Sequence, residues 1–170
     1  DGAFPVLHGK NGEDGTVQGL LELAGIPIVG CGSLSSALCM DKDRSHRLAA
    51  AAGVRVPESA LFTAAADRAA VHAAAGTIGY PVFVKPVRSG SSLGVTRVER
   101  EEALDRALEE ALLEDSEVLL EEAIEGFEVG CAVMGSGGAL TVGEVDEIEL
   151  SQGFFNFEEK YTLKTSAIHC

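Results

Sequence analysis

Tryptophan is absent from this sequence, tyrosine occurs twice, and lysine and arginine together number 13 against 27 aspartates and glutamates. The formal net charge of −14 would repel nucleic-acid phosphates, which excludes nucleic acid as the expected partner. A strongly anionic small ligand would need local lysines and a metal to bind. No run approaches the roughly 18 consecutive apolar residues of a membrane-spanning helix, so no membrane partner is expected. The four cysteines, Cys31, Cys39, Cys131 and Cys170, show no C-x-x-C spacing. That argues against a zinc site and a disulfide framework, and for free thiols in a reducing compartment. No signal peptide is visible, and the expectation is a cytoplasmic protein. Internal repeats and low-complexity tracts are lacking too.

What is present is a globular composition. Hydrophobic residues make up 46% of the 170, enough for a core in one domain or pieces of two. The chain starts at Asp1 and stops inside a strand-like run ending at Cys170, which reads as an excerpt of a longer protein.

One stretch organises the rest. Residues 81–84 are a short apolar run bounded by Gly79 and prolines, the pattern of a buried strand. Lys85 follows at once, then Arg88 and a loop of three serines and two glycines up to Gly94. Such a loop has many N–H and hydroxyl donors and little bulk, so it can wrap an anion. It lacks the Gly-Lys-Ser/Thr of a Walker A loop and the G-x-G-x-x-G of a dinucleotide loop. From composition alone it is equally a hairpin turn after an edge strand.

The remaining elements follow from periodicity. Residues 3–7 predict a strand ending at His8-Gly9, and Val17, Leu20, Leu21 and Ala24 fall on one face of a helix with Gly25 at its C′ position. His8 is then either a surface histidine in a turn or part of an active-site loop facing a helix N-terminus. Residues 27–29 predict a second strand. Ser33 can cap a short helix and Asp41 the next, over 42–52, with Lys42 in its first turn, where the dipole disfavours a cation. Strands are expected at 54–56 and 60–62, a helix at 67–75, a strand at 94–98, a helix at 101–113 and a strand at 118–120. The sum is an α+β layer with an antiparallel hairpin at the glycine loop. Residues 127–134 and 140–148 alternate as a second hairpin. Residues 150–165 have no clean period and combine Phe154, Phe155, Phe157 and Tyr161 with Lys160 and Lys164, the make-up of a long functional loop or of disorder.

Together these stretches resemble the D-alanine–D-alanine ligases. The resemblance is carried by Leu7-His8-Gly9-Lys10-Asn11-Gly12-Glu13-Asp14-Gly15, by Ser36 to Lys42, and by Val84-Lys85-Pro86 with Gly90-Ser91-Ser92-Leu93-Gly94-Val95. Leu119-Leu120-Glu121-Glu122, Glu128-Val129-Gly130-Cys131-Ala132 and Glu158-Glu159-Lys160-Tyr161 continue it in family order. Cys39-Met40-Asp41-Lys42 and Gly143 to Ile148 look most like the D-alanine–D-X ligases of glycopeptide resistance.

The resemblance implies part of an ATP-grasp fold: 1–30 as the end of an N-terminal substrate subdomain, 31–124 as the central subdomain, and 125–170 as the start of the C-terminal subdomain with its lid. It implies ATP and Mg2+ as cofactors, D-alanine and a second small D-substrate as ligands, and a homodimer at full length. The γ-phosphoryl group of ATP would pass to the carboxylate of D-alanine, and the acyl phosphate would be attacked by the second substrate. Lys42 and Lys85 match phosphate-contacting lysines, and Ser91 and Ser92 match the loop over the phosphates, with Ser91 also near the substrates. Glu121 matches the acceptor for the adenine amino group, the backbone near Ala123 and Ile124 its edge, and Glu128 the ribose carboxylate. His8 matches the histidine near the first D-alanine, Lys160 a lid lysine at the phosphates, and Tyr161 a lid residue networked with Ser91.

A tyrosine rather than a histidine in the lid implies amide formation with D-alanine or D-serine; a cationic histidine would repel an incoming ammonium and favour D-lactate. The family's metal ligands and catalytic arginine lie beyond this chain's end, so no metal ligand is assigned and the chain by itself is expected to be inactive. Competing readings are a D-lactate ligase, another ATP-grasp carboxylate–amine ligase, and a non-catalytic nucleotide-binding domain.

Overall fold

A computed structural model describes residues 1–150 and 166–169, with side chains through residue 148. The chain divides into two compact units, Asp1–Ala123 and Ile124–Cys170.

The first unit is built on a four-stranded antiparallel sheet in the order β1 (Ser59–Thr63), β4 (Glu117–Glu122), β2 (Val82–Pro86), β3 (Thr96–Val98). Strand period 2 sorts its residues. Val82, Val84, Val98, Val118 and Leu120 point to one face and are buried there against α4 (Arg68–Ile78) and α5 (Leu104–Glu114). Those helices contribute Val71 and Ala75, and Leu104, Ala107, Leu108 and Ala111, at i, i+3, i+4 and i+7 spacing. Each fully buried Val or Leu contributes about 1.5–3 kcal/mol. The opposite face carries the intervening residues of β2 and β4, namely Phe83, Lys85, Leu119 and Glu121. The register sets Phe83 opposite Glu121 and Lys85 opposite Leu119, so Lys85 and Glu121 are diagonal neighbours.

Three helices precede the sheet. α1 (Thr16–Leu23) and α2 (Ser33–Met40) pack together, and α3 (Lys42–Ala51) follows after one residue. Asp41 caps α3 as expected: its side chain accepts from the N–H of Arg44 at 2.9 Å. Asp67 likewise caps α4.

Several expectations need correction. Residues 3–7 and 27–29 do not form strands: they share one parallel bridge, Ala3 with Ile28. A ladder needs a neighbour along its length, and only Ala3 has one among the described residues. Phe4 and Val6 are 72% and 69% exposed accordingly. Residues 54–56 join no strand among the described residues: the Val54 N–H donates back to the carbonyl of Ala49 in α3, and the segment runs as coil into Pro57. Ser33 is the first residue of α2, not its cap; Gly32 is the N-cap, and the Ser33 hydroxyl donates to Glu22 at 2.7 Å. In α1 the buried residue is Gln18, whereas Leu20 is 65% exposed. The amide of Gln18 donates to the carbonyl of Gly12 at 2.9 Å.

The second unit is an antiparallel sheet of β5 (Glu128–Ser136), β6 (Ala139–Leu150) and β7 (Ser166–His169), in that order. β5 and β6 form the expected hairpin, with an irregularity between Cys131 and Val133.

Candidate functional site

The strand–loop–strand from β2 to β3 reaches two groups of side chains. At its loop, the backbone turns through Ser91 (φ 49°) and Ser92 (φ 59°), both left-handed. Each such non-glycine residue costs roughly 1–2 kcal/mol, a strain that loops at ligand clamps commonly hold. The loop sits tightly on the turn after His8: a Cβ on Gly90 would lie 3.0 Å from the Cα of Gly9 and 3.3 Å from Oε2 of Glu13. This contact explains the glycine at 90.

Two anchors hold the stem. The Lys42 ammonium donates to the carbonyls of Pro86 at 2.8 Å and Ser89 at 2.7 Å, and the Lys42 N–H donates to the carbonyl of Val87 at 3.1 Å. The first residue of α3 thus grips the loop from its base. On the other side Arg88 binds Asp115 through its backbone N–H at 2.7 Å and its guanidinium at 2.5 Å, and reaches Glu117 at 2.7 Å. The Asp115 hydrogen bonds raise the Arg88 pKa. Burial pulls the Asp115 carboxyl upward, but the bonds from Arg88 and the Glu117 N–H outweigh it and leave it lowered. Arg88 therefore serves as a strut for the loop stem.

A cavity of about 500 Å3 opens beside this assembly, lined among others by Glu13, Gln18, Cys39, Lys42, Ser89 and Ser91. In the turn before α1, Asp14 accepts from the N–H groups of Asn11 at 2.8 Å and Thr16 at 3.0 Å. Burial pushes its carboxyl up, yet these bonds prevail and its pKa is lowered. The cavity thus brings together Leu7, Gly12 and Glu13 on either side of the His8 turn, Lys42, and Ser89, Gly90 and Ser91 of the serine loop, whereas His8 itself is exposed and neither it nor Ser92 lines the cavity.

The second group lies on the site face of the sheet. The Lys85 ammonium pairs with Oε1 of Glu121 and lies 5.0 Å from the centroid of the Phe83 ring. The Glu121 side chain is 7% exposed, and its Oε2 is buried with no hydrogen-bond partner. His46, one turn after Lys42 on α3, faces that oxygen with Nε2 at 3.6 Å. His46 carried no signal by residue type; its i, i+4 spacing from Lys42 in a helix opened by Asp41 was the available clue.

Ala123 ends the first unit and Ile124, 63% exposed, opens the second; Glu128 is the first residue of β5 and is exposed. Lys160 and Tyr161 lie outside the described residues. Among the described residues no cluster of His, Cys, Asp and Glu could hold a metal ion, Cys31, Cys39 and Cys131 are free, and no helix is long and apolar enough to cross a membrane.

Comparison with known proteins meets this geometry. Residues 48–170 match the family "D-ala D-ala ligase C-terminus" and residues 1–31 match "D-ala D-ala ligase N-terminus". The vancomycin B-type resistance protein VanB of Enterococcus faecalis is 54% identical over 160 residues, covering 94% of this chain and 45% of that protein. The solved VanG D-Ala:D-Ser ligase of Enterococcus faecalis superposes with a TM-score of 0.82 at 59% identity, over 98% of this chain and 48% of that one. D-alanyl-alanine synthetase A of Vibrio cholerae superposes with a TM-score of 0.85 at 31% identity, over 99% of this chain and 52% of that one. The chain spans about half the length of the relatives it matches. By these matches this chain belongs to the D-alanine–D-alanine ligase family and carries part of its ATP-grasp fold.

Proposed function

We propose that the full-length protein is an ATP-dependent ligase that joins D-alanine to a second D-amino acid, D-alanine or D-serine, through an acyl phosphate, for a peptidoglycan precursor. The observation that carries this reading is the strand–loop–strand in which Lys85 and Glu121 pair on one sheet face while Lys42 holds the serine loop at the strand's end.

Phosphoryl transfer needs fixed cations and donors more than covalent chemistry, because charge builds on the transferring group. ATP, with Mg2+, supplies the phosphoryl group that activates the D-alanine carboxylate. The residues fit a nucleotide. Glu121 offers a buried oxygen without a donor, suited to the adenine amino group. Lys85 beside it offers a cation for phosphate, and Ser91 and Ser92 form a compact loop above, held by Lys42 from below. In this reading Ala123 and Ile124 contact the adenine edge and Glu128 the ribose. His8 and Ser91 orient D-alanine, and Lys160 and Tyr161 close the site from the lid.

The D-Ala:D-Ser ligase name of VanG supports D-serine as a second substrate, and the vancomycin-resistance name of VanB supports a role in glycopeptide resistance. The experiment is phosphate release by the full-length enzyme with ATP and D-alanine, alone and with D-serine or D-lactate. Release that depends on D-alanine and rises with D-serine is expected. No dependence on D-alanine would leave a nucleotide-binding domain without ligase activity, and a rise with D-lactate alone would replace amide by ester formation.

A further inference from the structure

Glu121 is a carboxylate almost wholly removed from water, and its two oxygens have different company. Oε1 has the Lys85 ammonium. Oε2 has no hydrogen bond, and His46 Nε2 stands 3.6 Å away. The His46 side chain is 24% exposed, and its other ring nitrogen, Nδ1, is buried without a partner. Two polar groups thus face each other at slightly more than bonding distance. A shift of roughly half an ångström would bring them to an N–H···O bond.

The helix makes such a shift specific. His46 follows Lys42 by one turn on the same face of α3, and Lys42 is fixed to the carbonyls at the end of β2. The same helix face therefore registers the serine loop through Lys42 and the base end of the sheet through His46. A carboxylate has about four lone-pair sites, so Oε2 can accept from an imidazole N–H and still accept from a ligand.

We propose that His46 is a positioning residue for adenine selection: its ring N–H bonds Oε2 of Glu121 and fixes the carboxylate plane while Lys85 holds Oε1. This rests on the reading of Glu121 as the acceptor for the adenine amino group. His46 touches neither nucleotide nor D-alanine and acts through Glu121 alone.

The test uses the full-length enzyme with ATP and with inosine triphosphate, which lacks the amino group. In His46→Phe the ring remains and the donor is lost. KM for ATP should rise at least fivefold and the preference for ATP over inosine triphosphate fall at least fivefold, while kcat and KM for D-alanine stay within twofold. His46→Asn, a polar residue too short to reach Oε2, should behave alike and covers a failure of the phenylalanine variant to fold. His46→Gln, whose amide can reach, should return KM for ATP to within twofold. An unchanged preference in His46→Phe or His46→Asn, or an equal rise in KM for D-alanine, overturns the proposal. Glu121→Gln separates the two levels. If it lowers the preference and the His46 variants do not, only the role of His46 fails; if it leaves the preference unchanged, the adenine reading of Glu121 fails with it.

Discussion

The Nζ of Lys42 lies 2.7 Å from the carbonyl oxygen of Ser89, so the first residue of a helix holds a loop 47 residues further along the chain. A cation at a helix N-terminus is opposed by the dipole. Here carbonyl oxygens of Pro86 and Ser89 offset that opposition. Lys42→Met keeps much of the length and removes the donor. The expected result is at least a tenfold loss of kcat/KM for ATP in the full-length enzyme, with faster amide hydrogen exchange at residues 87–93. Exchange unchanged from wild type would show that the loop does not depend on this lysine.

Lys85 is the second cation. Its loss leaves the buried Glu121 carboxylate without its ion pair and, on the proposed function, removes a cation for phosphate. Lys85→Ala should lower full-length activity by an order of magnitude or more and lower Tm as well. Activity within twofold of wild type would count against the nucleotide site.

Gly90 tests the close approach of the loop to the His8 turn without invoking charge. Its Cβ would meet Gly9 Cα at 3.0 Å, backbone that cannot swing aside. Gly90→Ala should destabilise by about 1–3 kcal/mol in denaturant titration, the usual range for overpacking. A midpoint equal to wild type would mean that the turn yields freely.

His72 provides a pH signature away from the site. Its ring bonds Glu101 at 2.8 Å and approaches Asp105 at 3.4 Å, and the Glu101 bond leads the causes that raise its pKa. A folded pKa above the unfolded value means the cation is favoured in the native state. That contribution is fully present below about pH 6.5, the ordinary histidine value, and is lost as pH rises through the folded pKa. Wild type should therefore lose stability relative to His72→Gln between pH 6 and pH 9, measured as Tm. Parallel Tm curves for the two proteins would refute it.

Much of the fold could be read from local pattern. The short apolar run at 81–84, the i, i+3, i+4 spacing of Leu104, Ala107 and Leu108, and the cap Asp41 are short-range signals, and a strand and two helices appear there. The runs at 3–7, 27–29 and 54–56 have strand composition as well, but a strand exists only if a partner lies beside it, and composition does not report partners. The helix α1 was legible as a helix, whereas apolar spacing did not report that Gln18, bonded to the carbonyl of Gly12, would be its buried residue.

At the candidate site, the resemblance of these motifs to the ligase family is what singles out Lys42, Lys85, the serines at 91 and 92, and Glu121, and their order along the chain needs no coordinates. What only the tertiary structure decided is how these groups divide their attention. Lys42 binds backbone, Arg88 braces Asp115 instead of facing a ligand, and Lys85 meets Glu121 across a register that sequence does not state. The reason is physical: a side chain's chemistry is intrinsic and travels with the residue, but its partner is chosen by packing, which brings together atoms that lie 27 to 47 residues apart along the chain.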